Sequence, residues 1–422
     1  YLRQAQEREH SGPWKPLTPL EIVQDDGYQA LARVHALSAL TTTDHLPFPV
    51  YRIDQDAITV TQRYSDAIDT APLRDPLVEE IIDSVSEATL RSYVGGLSGE
   101  WPITVSGSPY LLRTRYTFSG EPLDKAVEYV YEHLARQGWE TSFHHYALNQ
   151  KGWPSIDQQD AIEHYPLHNV IAEKRGLLYP DKTLILSAHL DSRAEAPPHD
   201  PAPGADDNAS GCSVLLLAAD LLGKLDLAYT VRLIFFTGEE QGMLGSYHYV
   251  RDIAQSGEDI LGVINLDMLA WDSDGVYDFD LHSHAPQIRD DSDALASLFA
   301  AVVETYALRL VPQIIEQGAR FSDHSRFWDR GYPAILVIED YYNDKGQAAA
   351  PRDWNPHYHT TGDTLATLNL DMLRELASAA LATVVHAAQP MRLLQGAVSE
   401  IDARTPLSAT VTAAGAQGVF RA

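Results

Sequence analysis

The chain carries one cysteine, Cys212, in 422 residues, so neither an intramolecular disulfide framework nor a cysteine-rich zinc module is possible. That scarcity leaves the compartment open, because secreted proteins of this size can fold without bridges. Positive charge is also short: 31 Lys+Arg stand against 59 Asp+Glu, a formal net charge of −28. Such a surface repels phosphate backbones and anionic bilayers, which argues against nucleic-acid and membrane partners. Long apolar runs are missing too. The greasiest stretches, 215–222 and 263–270, fall well short of the roughly 18 residues that a bilayer span needs. What remains, 45% hydrophobic and 21% charged residues, suits a buried globular core. The chain opens on Tyr1 with no leader pattern, which reads as a processed or trimmed product.

Residues 1–75 are punctuated by Pro13, Pro16, Pro19, Pro47 and Pro49, with short β-like runs at Pro49–Ile53 and Ala57–Gln62. They read as an accessory or pro-region-like segment. Asp75 and Pro76 then supply an N-cap and a first-turn proline. Val78, Ile81, Ile82 and Val85 follow on one helical face. A second helix is expected over Leu123–Gln137, stopped by Gly138. Beyond residue 168, apolar strands (Thr183–Ala188, Val231–Phe236, Ile260–Leu266, Ala334–Ile338) alternate with helices (Ser213–Leu222, Leu244–Gln255, Asp293–Tyr306, Asp371–His386). This alternation predicts an α/β catalytic domain over 76–390, a mixed, mainly parallel sheet sandwiched between helices. Residues 391–422, β-like at Ser408–Val411, read as a tail or truncated module.

Three of those strands run into polar groups for which a core has no use: His189-Leu190-Asp191, Thr237-Gly238-Glu239-Glu240, and Asp267-Met268. Ligands bind at the carboxyl ends of strands in open α/β sheets, so the three sets should share one rim. Between the first two lies a glycine-flanked acidic loop, 203–211, that contains Asp206 and Asp207. An imidazole and several carboxylates at such density need a cation or must protonate. Nitrogen and oxygen donors without thiolate fit zinc, with manganese or cobalt as substitutes. In an extended chain His189 and Asp191 face the same side, so Asp191 can hold the imidazole N–H that does not meet metal. Glu239 and Glu240 cannot both reach one ion from a regular strand; one ligates and the other stands free as a general base.

These residues resemble the dinuclear zinc aminopeptidase and glutamate carboxypeptidase family of metallopeptidases, family twenty-eight. The resemblance rests on Ser187-Ala188-His189-Leu190-Asp191, on residues 204–211, on Phe236-Thr237-Gly238-Glu239-Glu240, and on Asn265-Leu266-Asp267-Met268. Ser322-Asp323-His324 and residues 358–364 complete the series, so that it covers roughly 85–390, with secreted bacterial leucyl-type aminopeptidases as the nearest branch. The resemblance implies two Zn²⁺ ions bridged by Asp207, one also held by His189 and Asp267, the other by Glu240 and His359. It makes Glu239 the general base acting on a metal-activated water, and Asp191 a supporting partner. It also implies a cis peptide after Asp207, Tyr358 as an oxyanion donor or a pocket wall, and Met268 and Phe321 in the pocket for the first side chain.

The expected substrate is a peptide with a free N-terminus and an apolar first residue, hydrolysed by a secreted or periplasmic bacterial enzyme, with a monomer favoured. A carboxypeptidase or dipeptidase on the same site is the alternative, although the sequence offers no evident basic cluster for a terminal carboxylate. Glutaminyl cyclisation and a metal-free receptor-like module both fit less well a chain with all five ligand positions. Several other residues read as bystanders. His357 lies in the same loop as His359 but off the motif, and His282 and His284 read as surface histidines. Asp272, Asp274, Asp278 and Asp280 are a candidate for an additional Ca²⁺, but an acidic hairpin turn is preferred. Asp206 reads as a positioning group, and Cys212 as a small buried hydrophobe.

Overall fold

The computed structural model describes residues 68–147, 166–284, 291–340 and 353–391, and seven outlying strands between residues 2 and 421 as backbone. Residues 68–389 form one compact unit, and residues 1–67 with 390–422 form another. The second unit contains an antiparallel pairing of Tyr51–Ile53 with Leu393–Glu400, which in turn pairs with Pro406–Ala414. The β-like run expected at Ala57–Gln62 lies outside the described residues.

Within the larger unit an eight-stranded sheet carries the fold. Its strands are β1 (Glu140–Ala147), β2 (Pro166–Lys174), β3 (Tyr179–His189), β4 (Tyr229–Phe236), β5 (Asp259–Leu266), β6 (Asp278–His282), β7 (Val311–Ile315) and β8 (Ala334–Glu339), in the order β7-β6-β8-β5-β3-β4-β2-β1. The central four, β8-β5-β3-β4, are parallel, while β4 meets β2, β2 meets β1, and β8 meets β6 antiparallel. The expected mixed, mainly parallel sheet is therefore present, and β1, β2, β6 and β7 extend it beyond the strands read from the sequence.

Strand periodicity divides the core into two layers. Leu184, Leu186 and Ala188 of β3, with Val231, Leu233 and Phe235 of β4, join a cluster shared with α1 (Pro76–Ser84), α2 (Glu87–Leu97), α3 (Glu121–Arg136), α4 (Gly211–Leu222), α6 (Asp291–Thr305) and α8 (Leu370–Ala388). The alternate residues Ile185, Ile234 and Phe236 pack with Tyr249 and Ile253 of α5 (Leu244–Ser256) and with Phe327 and Trp328 of α7 (His324–Trp328). Both faces are covered, which is why these strands read as continuous apolar runs. Local signals set the helix starts: the Asp75 carboxylate accepts from Leu77 N with Pro76 in the first turn, and Asn369 caps α8. No described helix is long and apolar enough to cross a membrane.

Candidate metal centre

Four parallel strands end on one rim, and the chain's polar groups gather there. His189 is the last residue of β3, Asp267 follows β5, and Glu239-Glu240 follow β4. Asp207 comes from the loop before α4, and His359 from the loop before α8. Asp207 is central to the cluster. Its Oδ1 lies 3.0 Å from His189 Nε2, and its Oδ2 lies 3.0 Å from His359 Nε2. His189 Nε2 is also 3.2 Å from Asp267 Oδ1, while His359 Nε2 is 3.0 Å from Glu240 Oε2. Two three-residue groups thus share one carboxylate: His189, Asp207 and Asp267, and then Asp207, Glu240 and His359, each with donor atoms within 4.8 Å of one another.

The backbone is shaped to deliver these groups. The Asp207-Asn208 peptide is cis, as the resemblance implied. Asn208 Nδ2 donates to Leu266 O at 2.8 Å, and its Oδ1 accepts from Gly211 N at 2.9 Å, which ties the loop to β5 and α4. Gly204 has φ +52°, and a Cβ there would stand 2.4 Å from Asp207 O, so only glycine fits. His359 and Met268 hold φ of +55° and +56°, unusual for such side chains and enforced by the surrounding loop contacts.

Supporting contacts extend one layer deeper. Asp191 differs in detail from the sequence expectation: His189 Nδ1 meets the Asp191 carbonyl at 3.1 Å, and the carboxylate is 3.8 Å away. That carboxylate instead accepts from Thr117 Oγ1 at 2.7 Å and from Glu239 N and Glu240 N at 3.2 Å each. It therefore fixes the turn that presents both glutamates. Asp267 Oδ2 accepts from Ser322 Oγ at 2.6 Å, Ser322 Oγ accepts from Asn265 Nδ2 at 2.8 Å, and Asn265 Oδ1 accepts from Ser187 Oγ at 2.8 Å. Asp363 accepts from Asp206 N at 2.9 Å and from Asp207 N at 3.1 Å.

Sequence reasoning assigned no role to Asp363, nor to Arg115, a fully buried guanidinium. Arg115 donates to the carbonyls of Leu190, Pro203 and Gly204 at 2.7, 2.7 and 2.8 Å, stapling the end of β3 to the acidic loop. Nothing around Arg115 in the sequence signals this, because these three partners lie 75 to 89 positions away. Asp206 positions the same loop, as expected, accepting from Ala270 N at 2.9 Å and Asn355 Nδ2 at 2.7 Å. Burial and Asp206 push Glu339 well above the carboxylate range, so it keeps a proton to donate to Asp206.

Electrostatics describe a site that seeks cations. Burial disfavours the His189 imidazolium, yet Asp267 and Asp207 outweigh it and hold its pKa well above the usual value. The same contest leaves His359 at about 10, raised by Glu240 and Asp207. Protons here sit between nitrogen and carboxylate oxygens, where a metal ion would supply the charge instead. Glu240 Oε1 is buried and has no hydrogen-bond partner among the described residues, a spare donor atom toward the same point. The donor set of two imidazoles and three carboxylates fits zinc. Burial, with Asp323, Asp267 and Glu240 adding to it, also keeps Glu239 well above the carboxylate range.

Beside the cluster, Met268 packs with Leu336 and Ile338, and Phe321 and Tyr358 close over them. Tyr358 stacks on His359 at 3.7 Å between centroids, and its ring meets Trp354 edge-on. The three residues expected at the pocket are thus brought together. Others are placed elsewhere. His357 is absent from both ligand groups, and Cys212 is buried, donating its Sγ–H to His189 O. His282 is not a surface residue: β6 runs between β7 and β8, so its last side chain is buried and accepts from Ala319 N at 3.1 Å. Of the calcium candidates, Asp272 and Asp274 approach Asp353, whereas Asp278 and Asp280 do not join them. Asp272 Oδ1 accepts from Gly275 N at 2.9 Å, as an acidic turn requires.

Comparison with known proteins identifies this arrangement. A sequence model of peptidase family M28 matches residues 169–384, half of the chain. A probable leucine aminopeptidase of Trichophyton verrucosum is 31% identical over 243 residues, 56% of this chain and 61% of that protein. The chain spans between about half and three fifths of the length of the curated relatives it matches. Among solved structures, LapB from Legionella pneumophila superposes with a TM-score of 0.56 at 18% identity, covering 88% of this chain and 95% of that one. The zinc aminopeptidase BSAP from Bacillus subtilis gives 0.52 at 15% identity, covering 72% and 95%. At these identities the structural likeness establishes the fold.

Proposed function

The chain belongs to peptidase family M28, and we propose that it is a dinuclear zinc aminopeptidase that releases the first residue of peptides with a free N-terminus. The observation that carries this reading is Asp207, whose two oxygens each face a different imidazole at 3.0 Å. One zinc would be held by His189, Asp207 and Asp267, the other by Asp207, Glu240 and His359. When bound there, such ions would polarise a carbonyl and lower the pKa of a water.

The chain's own residues do the rest. Glu239 takes a proton from the attacking water and returns it to the departing amine; its raised pKa suits a group that must hold that proton between steps. Asp191 fixes Glu239 by its backbone, so the carboxylate need not search for its position. The acidic cluster attracts a protonated α-amine. The wall formed by Met268, Phe321 and Tyr358 supports an apolar first side chain. Tyr358 would either donate to the oxyanion or line that wall, and Tyr358→Phe separates the two roles.

Blocking the N-terminus tests the assignment. Acetylating a leucyl tetrapeptide should lower kcat/KM by at least about a hundredfold, since a charge-assisted contact in a desolvated site is lost. Amidating its distant C-terminus should change little. Cleavage that survives acetylation but needs the free C-terminus would make the enzyme a carboxypeptidase. Metal analysis should return two zinc ions per chain; full activity with one would remove the dinuclear part of the reading.

A further inference from the structure

The two flanks of the metal centre differ in chemistry. On the Asp267 side stands the apolar group Met268, Leu336 and Ile338. On the Glu240 side stands a cation, Arg193, whose Nε lies 4.0 Å from Glu240 Oε2. That distance is beyond hydrogen-bond reach. Arg193 Nε is buried and has no hydrogen-bond partner among the described residues, although 38% of the side chain is open to solvent. A buried N–H without a hydrogen-bond acceptor is costly, and the part of the guanidinium open to solvent leaves room for an anion to complete its set of partners. Glu240 offers Arg193 a charge at ion-pair distance but no hydrogen bond, its Oε2 being directed at His359.

We propose that Arg193 reads the free carboxylate of the residue after the cleaved bond, and so makes dipeptides the favoured substrates. This rests on the aminopeptidase reading. If an apolar first side chain occupies the Met268 flank, the scissile carbonyl lies over Asp207 and the chain continues toward Glu240. One residue advances the backbone by roughly 3.6 Å, which brings the α-carboxylate of a dipeptide level with Arg193. The guanidinium fork can grip that carboxylate with two N–H donors, and a peptide amide in its place offers no charge. In longer peptides the carboxylate has moved past this point and gains nothing from it. Arg193 drew no attention in the sequence, because a single arginine four positions after His189 is not a basic cluster.

The test compares kcat/KM for Leu-Ala, Leu-Ala-amide and leucine p-nitroanilide. Wild-type enzyme should prefer Leu-Ala to its amide by roughly ten- to a hundredfold, the range for a hydrogen bond to a charged group. Arg193→Gln should collapse that ratio toward one, mainly through the KM for Leu-Ala, because the contact is remote from the breaking bond. Arg193→Lys should keep part of the preference, and Arg193→Glu should invert it. Zinc content, measured on every variant, should stay at the wild-type value. A wild-type ratio near one, or a ratio that Arg193→Gln leaves unchanged, overturns the proposal. Failure of the wild type to cleave any of the three overturns the aminopeptidase reading, and this proposal with it.

Discussion

The two halves of the proposed metal centre use the same kinds of donor but are held in different ways. The inner half, His189 and Asp267, is supplied by adjacent central strands, and both residues are nearly inaccessible. Its carboxylate is braced through Ser322, Asn265 and Ser187, so rotation of Asp267 would break a chain of hydrogen bonds. The outer half, Glu240 and His359, comes from a turn and a loop; 26% of the His359 side chain is exposed, and Arg193 stands beside Glu240. A cation near a ligand carboxylate opposes a second cation. A buried, braced site should therefore bind its ion more tightly than a partly exposed one with a cation beside it.

The largest effect should come from the residue that belongs to neither half. On the proposed assignment Glu239→Gln removes the proton acceptor and leaves the five proposed ligands, so turnover should fall by roughly 10²–10⁴-fold while both ions remain bound. Glu240→Gln should instead lower zinc content at the outer half, with activity partly restored by excess zinc. Zinc analysis and turnover on both variants decide the matter. If Glu239→Gln sheds an ion and Glu240→Gln keeps both, the base and the ligand have exchanged roles.

A more direct test of the comparison is to perturb each half through a residue that touches no metal. Ser322→Ala deletes the donor to Asp267 and should cost the inner ion about 10–100-fold in affinity. Arg193→Gln removes the opposing charge and should leave the outer ion bound as tightly or tighter. In a chelator titration of wild-type protein, followed by zinc release, the first ion should leave well before the second. Simultaneous release of both would mean that the bridging Asp207 couples the halves more strongly than their separate supports distinguish them.

The sequence made the inner half more legible than the outer. Fully buried parallel strands read as apolar runs, so the abrupt polar residues at His189 and Asp267 stand out against them. His359 carries no such contrast, being in a polar loop, and only its resemblance to a family motif picked it out. Strand β1 went unread, and β6 was seen only as a β-like run, for a related reason. Glu140–Ala147 is largely half-exposed and holds two histidines, and Asp278–His282 has three titratable residues in five. Their place in the sheet comes from pairing with distant strands, as does the burial of His282. Contacts such as Arg115 to Gly204 are set by topology, which local periodicity does not encode.

The smallest effect concerns the segment that braces the inner half. His324 follows Ser322 by two residues, is fully buried, and packs edge-on against Trp328. Its Nε2–H donates to Ala319 O at 2.9 Å, while burial, with His282 and Arg320 opposing charge, lowers its pKa to about 3 and so keeps the ring neutral. In the unfolded chain it titrates near 6.5. A histidine lowered on folding binds more protons in the unfolded state, so stability falls as pH drops below about 6.5 and continues to fall until about 3. Between pH 7 and 5.5 this one group should cost about 1 kcal/mol. His324→Gln retains a donor for Ala319 O and cannot titrate, so its melting temperature should fall less over that interval than that of the wild type. The measurement belongs on zinc-loaded protein, where the ligand imidazoles are not free to take up protons. An equal fall in both proteins would show that His324 is not what makes the inner brace sensitive to acid.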